Sequence, residues 1–201
     1  MWRQINAALL LAISFAGGCA SSNNTTEYTR EYLDTKTGVT ITALNQPLIL
    51  AHTEPRISRS LRDYLYIGPV EVNTMGKRSY YLWIGPFSTI DRPPAEINTL
   101  TLTADNATTE LNFTLANTSA GLKTLPYELP LGTQPGRYLP VAGELLAELA
   151  KARAITIETT SEDGKRVYAL WRGEIGAFSE FADTVNIRTA TNPRPAITSK
   201  E

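Results

Sequence analysis

The chain has 201 residues, 42% of them hydrophobic, with 19 basic and 20 acidic side chains, one histidine and one cysteine. That balance excludes a nucleic-acid-binding face, which needs an excess of Lys and Arg, and it leaves no polybasic patch for a membrane surface. A lone cysteine excludes an internal disulfide, and one Cys with one His cannot supply a zinc site.

The chain opens with Met1-Trp2-Arg3, an apolar run from Ala7 to Phe15, and the small residues Ala16-Gly17-Gly18 before Cys19. A positive start, a short apolar core and small residues at a cut site form a secretory signal. The run is too short to span a bilayer, which takes about 20 apolar residues. Ala16 to Cys19 resembles the lipobox of bacterial lipoproteins, with Ala16 standing where Leu is commonest. The resemblance implies that Cys19 is lipidated and becomes the mature N-terminus, and that Ala20, where inner-membrane lipoproteins carry Asp, directs the protein to the outer membrane. The alternative is an ordinary signal cut nearby with Cys19 incidental. Residues 1–18 are thus read as signal, and 19–30 as lipidated terminus and tether. Ala20 to Thr26 is small, polar and uncharged, and buries too little to order itself.

Residues 31–187 read as one β-rich domain. Val39 to Leu44 and Leu48 to Ala51 have strand chemistry, separated by Asn45-Gln46-Pro47. Glu54 to Asp63 suits a loop or short helical turn. Tyr64-Leu65-Tyr66-Ile67-Gly68-Pro69-Val70 is then echoed by Tyr81-Leu82-Trp83-Ile84-Gly85-Pro86-Phe87. A hairpin turning at Gly76-Lys77 would set Val72 opposite Tyr81 and Val70 opposite Trp83. Each Gly-Pro marks a bulge, an edge or an end of pairing. Asp91-Arg92-Pro93-Pro94 breaks the chain.

A second pair, Ile97 to Thr103 and Glu110 to Leu115, alternates cleanly and would bury Leu100, Leu102, Leu111, Phe113 and Leu115 on one face. Prolines at 126, 130, 135 and 140 predict an extended connector over 121–140. Val141 to Arg153 predicts a helix with Leu145, Leu146 and Leu149 on its apolar face. Ala154 to Thr159, a turn at Glu162-Asp163-Gly164-Lys165, and Arg166 to Trp171 predict a hairpin. Phe178 and Phe181 fall at helical spacing, and 188–201 reads as a loose tail. The order of elements over Val141 to Asp183 resembles the C-terminal segment of the invasion-associated locus B family, although that family usually has disulfides. The resemblance implies a β-sandwich and carries no functional residue over. The fold expectation is all-β, an antiparallel sandwich with one or two short helices.

His52 is the only candidate for a neutral-pH general base. A hydrolase would pair it with Ser58 or Ser60 and Asp63, yet neither serine lies in a nucleophile elbow. No catalytic residue, metal site or cofactor is expected. Tyr81, Trp83 and Trp171 are the candidate partner-binding residues, since exposed Tyr and Trp combine apolar area with a polar tip. Their alternative is the core: Tyr81 and Trp83 share one strand face, and Tyr80, Leu82 and Ile84 the other. The functional expectation is an outer-membrane-anchored periplasmic lipoprotein, a non-enzymatic binding or assembly component contacting the membrane through Cys19 and an envelope protein. Its alternatives are an envelope hydrolase using His52 and a passive structural lipoprotein.

Overall fold

The computed structural model describes residues 27–52, 62–89, 96–128, 130, 135–162 and 164–187. The signal segment, Cys19, the tether up to Thr26, Ser58, Ser60, the Asp91 to Pro94 break, Asp163 of the last turn and the 188–201 tail lie outside the described residues. Ten strands and two short helices follow in order: β1 Thr29–Asp34, β2 Val39–Leu44, β3 Leu48–His52, β4 Asp63–Thr74, β5 Lys77–Ser88, β6 Thr99–Ala104, β7 Ala107–Asn112, β8 Arg137–Pro140, α1 Gly143–Leu149, β9 Ile155–Ser161, β10 Gly164–Arg172 and α2 Gly176–Thr184. The all-β expectation with short helices holds. β1 begins at Thr29, inside the segment read as tether.

All strand pairings are antiparallel, and the strands form one connected, curled sheet in the order β1-β2-β4-β3-β10-β9-β6-β7, with β5 on the other side of β4 and β8 beyond it. The organising element is the β4–β5 hairpin of two 12-residue strands, paired from Asp63↔Ser88 to Thr74↔Lys77. Its turn is Met75-Gly76 and not Gly76-Lys77. Both residues have positive φ, 50° and 90°, as a two-residue turn matched to strand twist requires. The register therefore differs from the sequence expectation by two residues. Val70 faces Tyr81, Val72 faces Ser79, and Trp83 faces Gly68.

The Gly-Pro steps do not interrupt this hairpin; they mark changes on its outer edges. β3 pairs β4 up to Ile67, and β2 takes over at Val70, so Gly68-Pro69 sits in the gap between them. On β5, pairing with β8 runs from Tyr81 to Ile84 and stops before Gly85-Pro86. A proline has no N–H for a second ladder, and these are positions where none is asked of it.

The register sorts every side chain onto one of two faces. The inward face carries Leu48, Leu50, Leu65, Ile67, Leu82, Ile84, Leu100, Leu102, Ile157 and Tyr168, all buried. Phe178 and Phe181 of α2 and Leu146 and Leu149 of α1 complete this core, each at 0% exposure. Arg78 Nη1 donates to the Val185 carbonyl at 2.5 Å and ties the hairpin to the end of α2.

Three sequence expectations are corrected here. The predicted helix over Val141 to Arg153 is shorter: α1 ends at Leu149, where tight turns close onto Glu148 and Leu149. The 121–140 connector ends in a strand, β8, which is an edge strand and so tolerates Pro140. Leu115 is 66% exposed. β7 stops at Asn112, whose side chain accepts from Thr114 N and starts a 3-10 turn that buries Phe113 and turns Leu115 outward.

Candidate functional site

The outward face of the hairpin carries an aromatic stripe. Tyr64, Tyr66, Gly68 and Val70 of β4 lie on it opposite Phe87, Gly85, Trp83 and Tyr81 of β5. The two copies of the sequence echo thus place their aromatic residues on the same face. What separates them is cover. The segment between β7 and β8 lies over the Trp83 end: the Tyr127 ring packs on Trp83 at 4.9 Å, and its hydroxyl donates to the Pro69 carbonyl at 2.9 Å. Burial pushes the Tyr127 phenol far up. Two glycines permit this closeness. A Cβ on Gly68 would lie 2.2 Å from the Tyr127 hydroxyl, and one on Gly136 would lie 2.1 Å from the Trp83 ring.

Under this cover Trp83 is 1% exposed and Tyr138 0%. Tyr81 is half-buried, its ring edge-on to Tyr138 at 6.1 Å. Trp83 is therefore a core residue and not a docking residue, and Tyr81 is largely taken into the same packing. The alternation of β5 identifies two faces, and here both are covered: Leu82 and Ile84 from inside, Trp83 from outside. Trp171 differs. It is 52% exposed, it occupies a break in the β10–β3 register, and the Arg62 guanidinium lies 3.8 Å from its ring centre.

Beyond the cover, the stripe is only part-buried among the described residues. Tyr64 and Phe87 stack at 6.1 Å, and Tyr66 meets Phe87 edge-on at 6.2 Å. One cross-strand row here reads Tyr66–Ile49–Arg172, from β4 through β3 to β10. Burial pushes the Tyr66 phenol up, Tyr64 adds to the shift, and the Arg172 charge opposes it. The sequence reading missed Tyr66, Ile49 and Arg172. Alternation places Tyr66 on a face with Tyr64, but nothing local says that this half of the face is open.

Two adjoining hollows flank this row where β2 gives way to β3. One, of about 600 Å³, is lined by Arg30, Tyr66, Glu128 and Pro130 together with Asn45, Gln46, Pro47, Ile49 and Arg172. The other, of about 410 Å³, shares those last five residues and extends to Glu27, Tyr28, Gly173 and Glu174. Their shared wall, Asn45-Gln46-Pro47, is the chain's crossing from one pairing to the next. It is held by Asn45 N and Nδ2, which donate to the Tyr28 and Glu27 carbonyls at 2.6 Å each. Arg30 Nη2 donates to the Pro126 carbonyl at 2.5 Å. The Tyr28 hydroxyl donates to Glu174 at 2.5 Å.

The proposed hydrolase residues fall elsewhere. His52 is half-buried, its Nδ1 lies 2.9 Å from the Val167 carbonyl, and its ring packs on Tyr168 at 5.6 Å. Asp63 faces His52 in the β3–β4 register. Its carboxylate accepts from Ser88 Oγ at 2.5 Å and pairs with Arg166 at 3.2 Å. Ser58 and Ser60 lie outside the described residues, as does Cys19.

Fold and site together define a curled antiparallel β domain whose outer face is covered over Trp83 and only part-buried around Tyr66 among the described residues, with a polar groove at the boundary. No family model matches the chain, and comparison with curated proteins and solved structures finds no match. Among the described residues, no helix is long and apolar enough to cross a membrane.

Proposed function

We propose that the protein is a lipoprotein held to the outer membrane through Cys19, facing the periplasm, and that it works as a non-enzymatic binding component of the cell envelope. The open half of the aromatic face, with its adjoining groove, is the ligand surface. The supporting observation is the Tyr66–Ile49–Arg172 row. It sets an aromatic ring, an aliphatic floor and a charged side chain side by side on a sheet face that Tyr127 covers elsewhere and that no described residue buries here. Binding sites need this combination of apolar area with a few oriented polar groups. His52, engaged with the Val167 carbonyl and packed on Tyr168, lends no support to the hydrolase alternative. Trp171 stays in the proposal at the edge of the same surface; Tyr81 and Trp83 leave it.

The test has two arms. Cells expressing the full chain are fed a labelled fatty acid and their membranes are fractionated. Label in the outer-membrane fraction that disappears in Cys19→Ser supports the anchor; a processed but unlabelled protein sinks it. Photo-crosslinking amino acids at Tyr66 and at Thr101, on the same face but four strands away on β6, address the surface. Defined products from Tyr66 alone support it, and equal yields from both positions reject it.

A further inference from the structure

We infer that the groove binds an acidic polysaccharide, one whose sugars carry carboxylate groups. This deepens the proposal above and rests on its reading of the open face as the ligand surface.

The floor has the chemistry of a sugar platform. Tyr66 is half-buried, and Phe87, edge-on to Tyr66 and stacked with Tyr64, fixes its ring. A pyranose presents a patch of weakly positive C–H groups, which fits the negative face of an aromatic ring and leaves its hydroxyls at the rim. The rim supplies their partners, the Gln46 amide and the Glu128 carboxylate. At about 600 Å³, the larger hollow, which holds Tyr66, Arg30 and Arg172, suits linked sugars better than a single small ion.

Charge specifies the sugar. Arg172 lines both hollows and has no hydrogen bond or ion pair with the described residues, so its fork of donors is available. Arg30 lines the larger hollow with one nitrogen already committed to Pro126. Guanidinium groups match carboxylates with two parallel hydrogen bonds. In the larger hollow Arg30 and Arg172 outnumber Glu128 by one charge, which suits a singly charged carboxylate better than a doubly charged phosphate. The smaller hollow, where Glu27 and Glu174 face Arg172 alone, is net negative and suits the uncharged part of the chain. An acidic peptide fits less well. Extended peptides bind chiefly by adding a strand to a free sheet edge; β3, which floors the groove, is already paired on both sides, by β4 and β10. Of the strands that line the groove only β1, at the rim through Arg30, ends the sheet, so a glutamate peptide tests that edge.

The experiment uses the full chain purified in detergent. Three probes are titrated by calorimetry: an oligogalacturonate, the same oligosaccharide as its methyl ester, and a glutamate oligopeptide of equal charge. The oligogalacturonate binds, and the methyl ester binds at least about tenfold more weakly, the loss expected for a charge-assisted hydrogen bond. Arg172→Ala loses a similar factor and Arg172→Lys part of it. Tyr66→Ala loses binding that Tyr66→Phe retains, which separates ring stacking from a general packing defect. Lys165→Ala, on the far β9–β10 pair, binds like the parent. Equal binding of ester and acid, equal or tighter binding of the peptide, or affinity indifferent to Arg172→Ala overturns the inference. Failure of all three probes together with defined crosslinks from Tyr66 in cells rejects the polysaccharide and leaves the binding surface standing. Failure of both rejects the surface as well.

Discussion

At the residue scale the molecule is most exposed to change where backbone and aromatic ring meet. Gly68 and Gly136 lie under Tyr127 and Trp83 with no room for a methyl group. Overpacking of this kind costs about 1–3 kcal/mol, and since the ring atoms in the way are themselves buried, they have nowhere to swing. Gly136→Ala is expected to lower stability by that amount in urea unfolding, whereas Lys165→Ala, which breaks only the exposed 2.6 Å pair with Glu158, is expected to leave the unfolding midpoint nearly unchanged. Two carboxylates set opposite pH dependences. Asp34 accepts hydrogen bonds from Lys123 N, Thr124 and Lys36 N, and these hold its pKa down to about 2. A depressed carboxylate contributes stability above its unfolded pKa and loses it as pH falls toward the folded value. Asp34→Asn should therefore destabilise at pH 7, with the deficit closing between about pH 4 and pH 2. Glu71 goes the other way: burial pushes its pKa up, against the Arg78 guanidinium 3.1 Å away. Its charge is a burden at neutral pH, so Glu71→Gln should raise the melting temperature at pH 7, and the gain should vanish below the ordinary carboxylate range. An unchanged or lowered melting temperature at pH 7 would mean that the Arg78 pairing outweighs the desolvation.

At the element scale the β4–β5 hairpin decides which residues meet. Its turn needs positive φ at both Met75 and Gly76, a geometry that costs a residue other than Gly, Asn or Asp about 1–2 kcal/mol. Met75 is fully exposed, so its side chain returns nothing for that strain. Met75→Asn is expected to stabilise by about 0.5–1 kcal/mol, and Gly76→Ala to destabilise by about 1 kcal/mol or more. Both are read from thermal unfolding, and a Met75→Asn protein no more stable than the parent would argue that the turn is relaxed. The same hairpin shows what was legible in the sequence. Period-two alternation located β2, β4, β5, β6, β9 and β10, because a half-buried strand must alternate; it set β7 three residues late, at Glu110 to Leu115, where the strand is Ala107–Asn112. The turn was placed one position late, since a glycine fits either central position and only the positive φ of the residue before it distinguishes them. Alternation also could not say which half of a face is covered. Trp83 and Tyr66 have the same local signature, a Tyr-Leu-aromatic-Ile run, and opposite fates, because Tyr127, 44 residues beyond Trp83 in the chain, lies on one and not the other. The groove was illegible for a related reason: Arg30, Ile49, Tyr66 and Arg172 are brought together by sheet register, and no short window of sequence contains more than one of them.

At the scale of the whole molecule, the position of the groove relative to the chain's beginning constrains how an anchored domain would be oriented. Glu27 and Tyr28 line the smaller hollow, so the chain enters the folded domain at the groove. From Cys19 to Glu27 a fully extended chain reaches only about 30 Å. An anchor at Cys19 would therefore hold this end of the domain within about 30 Å of the bilayer. The opposite end of the sheet, β7, lies four strands away from β3, a lateral distance of about 19 Å at the usual strand spacing. The expected posture has the groove near the membrane and the Thr-rich β6–β7 end facing away from it. A ligand threaded through the groove would then run along the membrane surface, where Arg172 and Arg30 would have to offset the repulsion between an acidic polymer and anionic headgroups. Fluorophores at Gln46→Cys and Thr108→Cys of the lipidated protein, in vesicles with quencher-labelled headgroups, measure this posture. Stronger quenching at Gln46 is the expected result, and lengthening the tether by a Gly-Ser insert after Thr25 should reduce the difference without altering affinity for the oligogalacturonate. Stronger quenching at Thr108 would reverse the orientation and place the groove where soluble ligands, not membrane-associated ones, have first access to it.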